Sequence, residues 1–245
     1  MRLRRVVLER LIRYYRYLVE LYAKQPLETI TSAKLGAALD VDPSQVRKDF
    51  GAVGLSGVSR VGYQVCEACR IIRMELGFDQ PYSAVLVGVG HLGNALLNYS
   101  GFDRYGLKIV GAFDGDRAKV GQVVGGHKVH SVHHLKAFIE ANGVEVAILT
   151  TPVEVAQGLA ELTVAAGVKT IWNFTPTRLA VPKGVLTRNE HISVGLAQIA
   201  YHLKTGNGER RARLQRESEK GESCCGDSGR PAQVITDVPS GAGTD

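Results

Sequence analysis

The run LVGVGHLG, Leu86 to Gly93, follows the apolar stretch Ser83-Ala84-Val85-Leu86-Val87 and leads into NALLNYS. An apolar run, three glycines spaced G-x-G-x-x-G and an amphipathic stretch predict a strand, a tight turn and a helix. Each glycine has its own task in that unit. Gly88 permits the turn, Gly90 lets a pyrophosphate approach the backbone, and Gly93 lets helix and strand pack closely. Val89, His91 and Leu92 complete the loop, and the helix it opens offers free N–H groups to phosphate.

A second strand, KIVGAFD at 108–114, ends on Asp114, 21 residues beyond Gly93. An acid there suits an adenosine ribose and favours NAD over NADP, because a 2′-phosphate would be repelled. Another nucleotide, of the coenzyme A type, is the alternative that the glycine turn also permits. Strands expected at 144–151 and 169–176 end in Thr150-Thr151-Pro152 and Asn173-Phe174-Thr175. Ligands of doubly wound sheets lie beyond the carboxyl ends of the strands, so these six residues are candidates for the nicotinamide half. The alternation of β-branched runs with helical stretches predicts an α/β, Rossmann-like parallel sheet over residues 81–190.

Residues 1–80 read differently. Leu8, Leu11, Ile12, Tyr15, Leu18, Val19 and Tyr22 form one apolar stripe of a helix over about 8–24, ended by Gln25-Pro26. A short helix is expected at 31–39. After a three-residue turn comes a third, with Asp42 as N-cap, Pro43 at its first position and Gln45 placed for a capping box. Two short helices around a tight turn make a helix-turn-helix.

On a helical wheel Val46, Phe50 and Val53 share one side, and Ser44, Arg47, Lys48 and Gly51 lie about 150° away. A face of cationic and small hydrogen-bonding groups is what a recognition helix brings to the DNA major groove. A solvated surface has the same pattern, and the residues after the helix decide between the two. GLSGVSRVGYQV has glycines around β-formers with Arg60 near its tip, which predicts a wing. Ser44, Gln45, Arg47, Lys48 and Arg60 are therefore the candidate DNA contacts in a winged helix.

Charge agrees with this division. Residues 1–80 hold thirteen lysines and arginines against nine acids, residues 81–204 eleven against eight, and the remainder six against seven. Cys66 and Cys69 form a CxxC on an expected helix, but Cys224-Cys225 have poor zinc spacing. Core or interface packing is the main reading of the pair, and a redox or metal site the other. With four cysteines and no secretory signal, no disulfide framework is expected and the chain reads as cytoplasmic. No stretch approaches the ~18–20 apolar residues of a membrane span.

After Pro176 too few ordered residues are expected for a substrate domain. His127, His130, His133 and His134 fall in a β-to-helix connection, distant in sequence from the expected nicotinamide edge. No acid/base constellation emerges, so a sensor is favoured over the alternative, an NAD-dependent oxidoreductase. Ile192, Leu196, Ile199, Ala200 and Leu203 stripe a last helix over 191–204 that needs a partner, its own first domain or a second subunit. Residues 205–245 lose apolar periodicity and read as a disordered tail.

From Arg10 to Lys204 the chain resembles the Rex family of redox-sensing transcriptional repressors. The resemblance rests on RLIRYYRYL, VRKDFG, a glycine-rich wing ending VGY, GVGHLGNALLNY, AFDGD, AILTTP and NFTPTRLAVP. It implies a homodimer with a swapped C-terminal helix whose winged helices bind an inverted-repeat operator in double-stranded DNA. It also implies release from DNA when NADH binds, with NAD⁺ competing. By position it puts Tyr99 near the ligand, in a switch contact with Arg16. The family usually completes that contact with an aspartate, where this chain has His191. The family's bulky aromatics after KDF are reduced here to Gly51-Ala52-Val53.

Overall fold

The computed structural model describes residues 3–24, 28–191 and 193–205. The expected tail therefore lies outside the described residues except for Thr205, as do Gln25-Pro26, Ile192, Cys224 and Cys225. Thr205 is helical, not tail: its hydroxyl donates to the carbonyls of Tyr201 and His202.

The N-terminal part holds α1 (Arg5–Lys24), β1 (Thr29–Ile30), α2 (Ser32–Leu39), α3 (Pro43–Ala52), β2 (Tyr63–Gln64) and α4 (Val65–Glu75). Thr31 caps α2 through the Lys34 amide, and Asp42 caps α3 through the Ser44 amide. Pro43 at the first turn of α3 forfeits only an N–H that has no helical partner. The buried face of α1 is Leu11, Tyr14, Tyr15 and Leu18, whereas Ile12, Val19 and Tyr22 are exposed. The expected stripe is thus rotated. Tyr14 draws it round, because its ring meets Phe50 edge-on at 5.5 Å and its hydroxyl has a buried acceptor. The wing is smaller than the expected hairpin. Val58 and Gly62 exchange two backbone bonds around a three-residue loop, and β2 pairs antiparallel with β1.

The sheet part holds β3 (Tyr82–Val87), α5 (His91–Leu97), β4 (Leu107–Asp114), β5 (Val123–Val124), β6 (His127–Ser131) and α6 (Leu135–Asn142). It continues with β7 (Val146–Leu149), α7 (Val153–Ala165), β8 (Thr170–Asn173) and β9 (Leu186–Asn189). The strand order is β5-β6-β4-β3-β7-β8-β9, parallel throughout except for β5. From β3 the chain winds outward through β4 and β6, then returns to the other side of β3 as β7. The winding reverses between β3 and β7, and a crevice opens at their carboxyl ends, where doubly wound sheets take ligands.

Two expectations are corrected. His127 and His130 stand in β6, and only His133 and His134 are in the turn after it. The strands expected at 144–151 and 169–176 are trimmed to β7 and β8, so the Thr150 and Phe174 segments are loops. The N-terminal and sheet parts meet through aromatic rings. Tyr15 packs on Phe78 at 5.7 Å, and Phe78 on Tyr105 at 5.0 Å. Residues 193–205 form a last helix, α8, which belongs to a second unit beginning at His191.

Candidate nucleotide site and nucleic-acid interface

At the end of β3 the backbone turns through Gly88, whose φ of +99° lies in the region that favours glycine. The Gly88 amide donates to Phe113 O at 2.8 Å on β4, and its carbonyl accepts the Thr150 hydroxyl at 2.6 Å from beyond β7. The turn is thereby pinned from both neighbouring strands. A Cβ on Gly93 would lie 2.0 Å from Gly88 O, so helix and turn approach as closely as only glycine allows. A Cβ on Gly90 would meet nothing within 4 Å, which leaves that backbone open toward the crevice. No side chain caps the first turn of α5.

Asp114 is buried at the end of β4. Its Oδ2 accepts the Val89 amide at 2.7 Å and faces Lys119 Nζ at 3.2 Å, and its Oδ1 accepts the Asp116 amide at 2.8 Å. Asp114 therefore fastens the glycine turn to β4. Burial works against its charged form, but the Asp116 and Val89 amides and then Lys119 outweigh it and hold the carboxyl below the usual carboxylate range.

The crevice encloses about 590 Å³, within the range of small-molecule sites. Gly88, Gly90, Asp114, Thr150, Thr151 and Pro152 line it together with apolar Val132, Val155 and Leu159. One wall suits a flat base, and the other offers a carboxylate, an ammonium and open amides. At its edge the Thr151 hydroxyl is buried with no hydrogen-bond partner among the described residues. These features fit an adenine dinucleotide.

Seven expected contacts do not line this crevice: Val89, His91, Leu92, Gly93, Asn173, Phe174 and Thr175. Asn173 is fully buried, donates to Thr177 O and Asn189 Oδ1, and accepts from the Thr175 amide and hydroxyl. Asn173 and Thr175 spend their polar atoms on shaping the loop after β8, and Phe174 packs on Trp172 at 5.0 Å. His91 and Leu92 are exposed at the start of α5. Lys119 was missed by the sequence reading. Its signal is a lysine five residues beyond the strand-ending acid.

Replacing Asp114 with alanine should leave the Val89 and Asp116 amides without their acceptor. The expected cost is about 1–3 kcal/mol of folding stability together with at least tenfold weaker dinucleotide binding. Urea denaturation and ligand titration measure the two. Because the folded carboxyl titrates low, its contribution is complete above the ordinary value near ~4 and is lost as pH falls through the folded value.

On the N-terminal part, Ser44, Arg47, Lys48 and Gly51 are exposed along one side of α3. Arg47 donates to Ser32 Oγ at 3.0 Å, which aims its guanidinium across the start of α2. Arg60, at the wing tip, has φ +64°, a conformation costing roughly 1–2 kcal/mol for a side chain with a Cβ. Arg47 and Arg60 line one cleft with Thr31, Ser32 and Tyr63.

Gln45 departs from its expected roles. It neither closes a capping box nor faces outward; its Nε2 donates to Asp49 Oδ1 at 2.9 Å. Asp49 is the hub of this helix pair. It accepts Arg10 Nε at 2.6 Å, the second Arg10 nitrogen at 2.8 Å and the Tyr14 hydroxyl at 2.9 Å. Arg13 donates to Leu39 O at the end of α2. Part of the basic charge on α1 thus sets the angle of the presenting helices. Of the expected switch residues, Arg16 is exposed on α1 and Tyr99 lies edge-on to Phe102 at 4.9 Å, with no hydrogen bond between Arg16 and Tyr99 among the described residues. His191 is exposed, and its backbone carbonyl accepts the Val194 amide.

Comparison with known proteins matches both parts. A family model described as a putative DNA-binding protein N-terminus covers residues 5–51, and one described as a CoA binding domain covers residues 79–177. The redox-sensing transcriptional repressor Rex of Rhodopirellula baltica is 41% identical over 80% of this chain and 82% of its own. The crystal structure of RSP in complex with beta-NAD+ and operator DNA superposes with a TM-score of 0.79 at 33% identity, over 87% of this chain and 98% of that one. RSP in complex with beta-NADH gives 0.77 at 33% identity, over 86% and 99%. At this identity and over this share of both chains, the chain belongs to the Rex family of redox-sensing transcriptional repressors.

Proposed function

We propose that this chain is a repressor that binds an inverted-repeat operator as a homodimer and leaves it when NADH occupies the crevice between β3 and β7. The observation that carries the reading is the coexistence of two surfaces in one unit. A recognition helix is fixed at its angle by a buried hub, and a dinucleotide crevice is built on the adjoining sheet. RSP, the similar protein, is known bound to beta-NAD+ with operator DNA and bound to beta-NADH. Of the titratable groups lining the crevice, Asp114 and Lys119 are paired with each other, as suits a binding role.

Ser44, Arg47, Lys48 and Arg60 are the proposed DNA contacts. Gly88, Gly90, Asp114 and the Thr150-Thr151-Pro152 rim are the proposed NAD(H) contacts. Asn173, Phe174 and Thr175 act by shaping the neighbouring loop. On α8, Val194, Leu196, Ile199 and Leu203 are all more than half exposed, which supports a second copy as their cover. Among the described residues no helix is long and apolar enough to cross a membrane, and a cytoplasmic location is part of this proposal. Arg16, Tyr99 and His191 form the proposed switch. A protonated imidazole would repel Arg16 where a carboxylate attracts it.

Gel shifts test the reading, using inverted-repeat duplexes selected from a randomised pool, with NADH and NAD⁺ titrated separately. NADH should release the DNA, and NAD⁺ should counter it. His191→Asp should lower the NADH concentration needed for release. Arg47→Ala should weaken binding by about 1–3 kcal/mol, roughly five- to 150-fold, and Lys48→Ala should flatten the salt dependence. DNA binding indifferent to NADH would remove the sensor.

A further inference from the structure

Cys66 and Cys69 have no part in either surface described above. Both are free thiols on the first turns of α4, and they differ in setting. Cys66 is exposed. Cys69 is half-buried against the N-terminal core, beside Tyr15. Residues three apart on a helix share a face, with Cβ atoms about 5–6 Å apart. A disulfide requires about 3.5–4.5 Å between them, so closure takes a modest tightening of the first turn. An accessible thiol with a shielded one beside it is the arrangement of an attacking and a resolving cysteine.

We propose that Cys66 and Cys69 form a peroxide-sensitive dithiol whose oxidation to an intrahelical disulfide loosens the recognition helix. This inference rests on the DNA-binding reading above. In the first step the Cys66 thiolate attacks hydrogen peroxide. An S–O bond forms, the O–O bond breaks, and hydroxide leaves with the electron pair, giving a sulfenic acid. In the second step Cys69 sulfur attacks the Cys66 sulfur. The S–S bond forms, the S–O bond breaks, and water leaves carrying the Cys69 proton. The sulfurs together lose two electrons, and peroxide gains them. Burial, and then the neighbouring Cys66, push the Cys69 thiol up to about 11, which keeps it protonated until a sulfenic acid forms beside it.

The mechanical path to DNA is short. Val65, the residue before Cys66, bonds Glu28 O through its amide and opens α4 directly after β2. In β2, Tyr63 packs edge-on against Phe50 of α3 at 4.7 Å. Tightening the first turn of α4 therefore pulls on β2, on the ring supporting α3 and on the wing beside it.

The test uses the full chain with Cys224→Ser and Cys225→Ser, treated with hydrogen peroxide. Peptide mapping should find a Cys66–Cys69 disulfide that dithiothreitol reverses. Amide exchange over residues 50–64 should quicken on oxidation, and affinity for the selected duplex should fall at least tenfold. Adding Cys66→Ser or Cys69→Ser should abolish all three responses. Failure to form the disulfide, or a disulfide that leaves exchange over 50–64 unchanged, overturns the proposal. A reduced protein that retains no DNA would instead sink the repressor reading, since disulfide and exchange are read without DNA.

Discussion

Gly93→Ala is expected to abolish measurable NADH binding and to destabilise the fold by about 1–3 kcal/mol, the usual cost of forcing atoms into a packed site. The added methyl would lie 2.0 Å from Gly88 O, 3.1 Å from Gly88 C and 3.0 Å from Thr150 Oγ1. None of these can step aside cheaply. Gly88 O is held by the Thr150 hydroxyl, and the Gly88 amide by Phe113 O. The turn must therefore come off β4 or β7, and with it go the amides proposed to receive a pyrophosphate. Gly90→Ala is the paired control. Its methyl meets no protein atom, so the fold should keep its full stability while the dinucleotide is obstructed. Urea denaturation and NADH fluorescence titration on both variants measure this. Ordinary NADH affinity in both would mean that the cofactor sits elsewhere.

The contrast between those glycines shows how much of the site the sequence could reveal. G-x-G-x-x-G is a local pattern, because all three demands fall within one turn, and the run Leu86–Gly93 sufficed to locate it. What pins the turn is not local. The Thr150 hydroxyl comes 62 residues later in the chain, and only the strand order brings it to Gly88. Asn173 is a related case. A polar residue at a strand end can face a ligand or tie its own loop, and composition does not distinguish the two. Here all its hydrogen bonds turn inward. Among the strands not expected from the sequence, β6 and β9 are short and polar, and HKVHS and LTRN lack the apolar run that marks a buried strand.

In the N-terminal part the wheel separates the buried Val46 and Phe50 of α3, and Val53 just beyond its end, from the exposed Arg47 and Lys48. It also contained a signal left unused. Asp49 falls on the packing side, where an acid has no place without a cation from another element. That cation is Arg10, counted with the general basic charge of α1. A charge census cannot tell a side chain facing a phosphate from one facing a buried carboxylate 39 residues away.

Asp49→Ala is therefore expected to cost about 3–5 kcal/mol, the range for breaking a buried ion pair from one side. The substitution strands a half-buried guanidinium, the Tyr14 hydroxyl and the Gln45 amide together. Asp49→Asn retains the shape and one acceptor, but not the charge that balances Arg10, and should fall between. Both should weaken DNA binding even at temperatures where they remain folded, because α3 loses its tie to α1 while Arg47 and Lys48 are untouched. The pH dependence separates this from simple loss of packing. Burial raises the Asp49 carboxyl, but bonds from Arg10, Tyr14 and Gln45 more than offset it and hold the group below its ordinary range. The hub's contribution is then complete above roughly pH 4 and fades as pH falls through the lowered folded value. The gap in unfolding free energy between wild type and Asp49→Asn should accordingly narrow below about pH 4. At the other extreme, burial and then Asp49 raise the Tyr14 hydroxyl well above its usual range. Wild-type stability should thus decline as pH climbs past about 10, where the unfolded chain gives up that proton and the folded one keeps it. A gap that stays constant below about pH 4 would reduce the hub to packing alone, and DNA affinity equal to wild type in the alanine variant would deny it any part in setting the recognition helix.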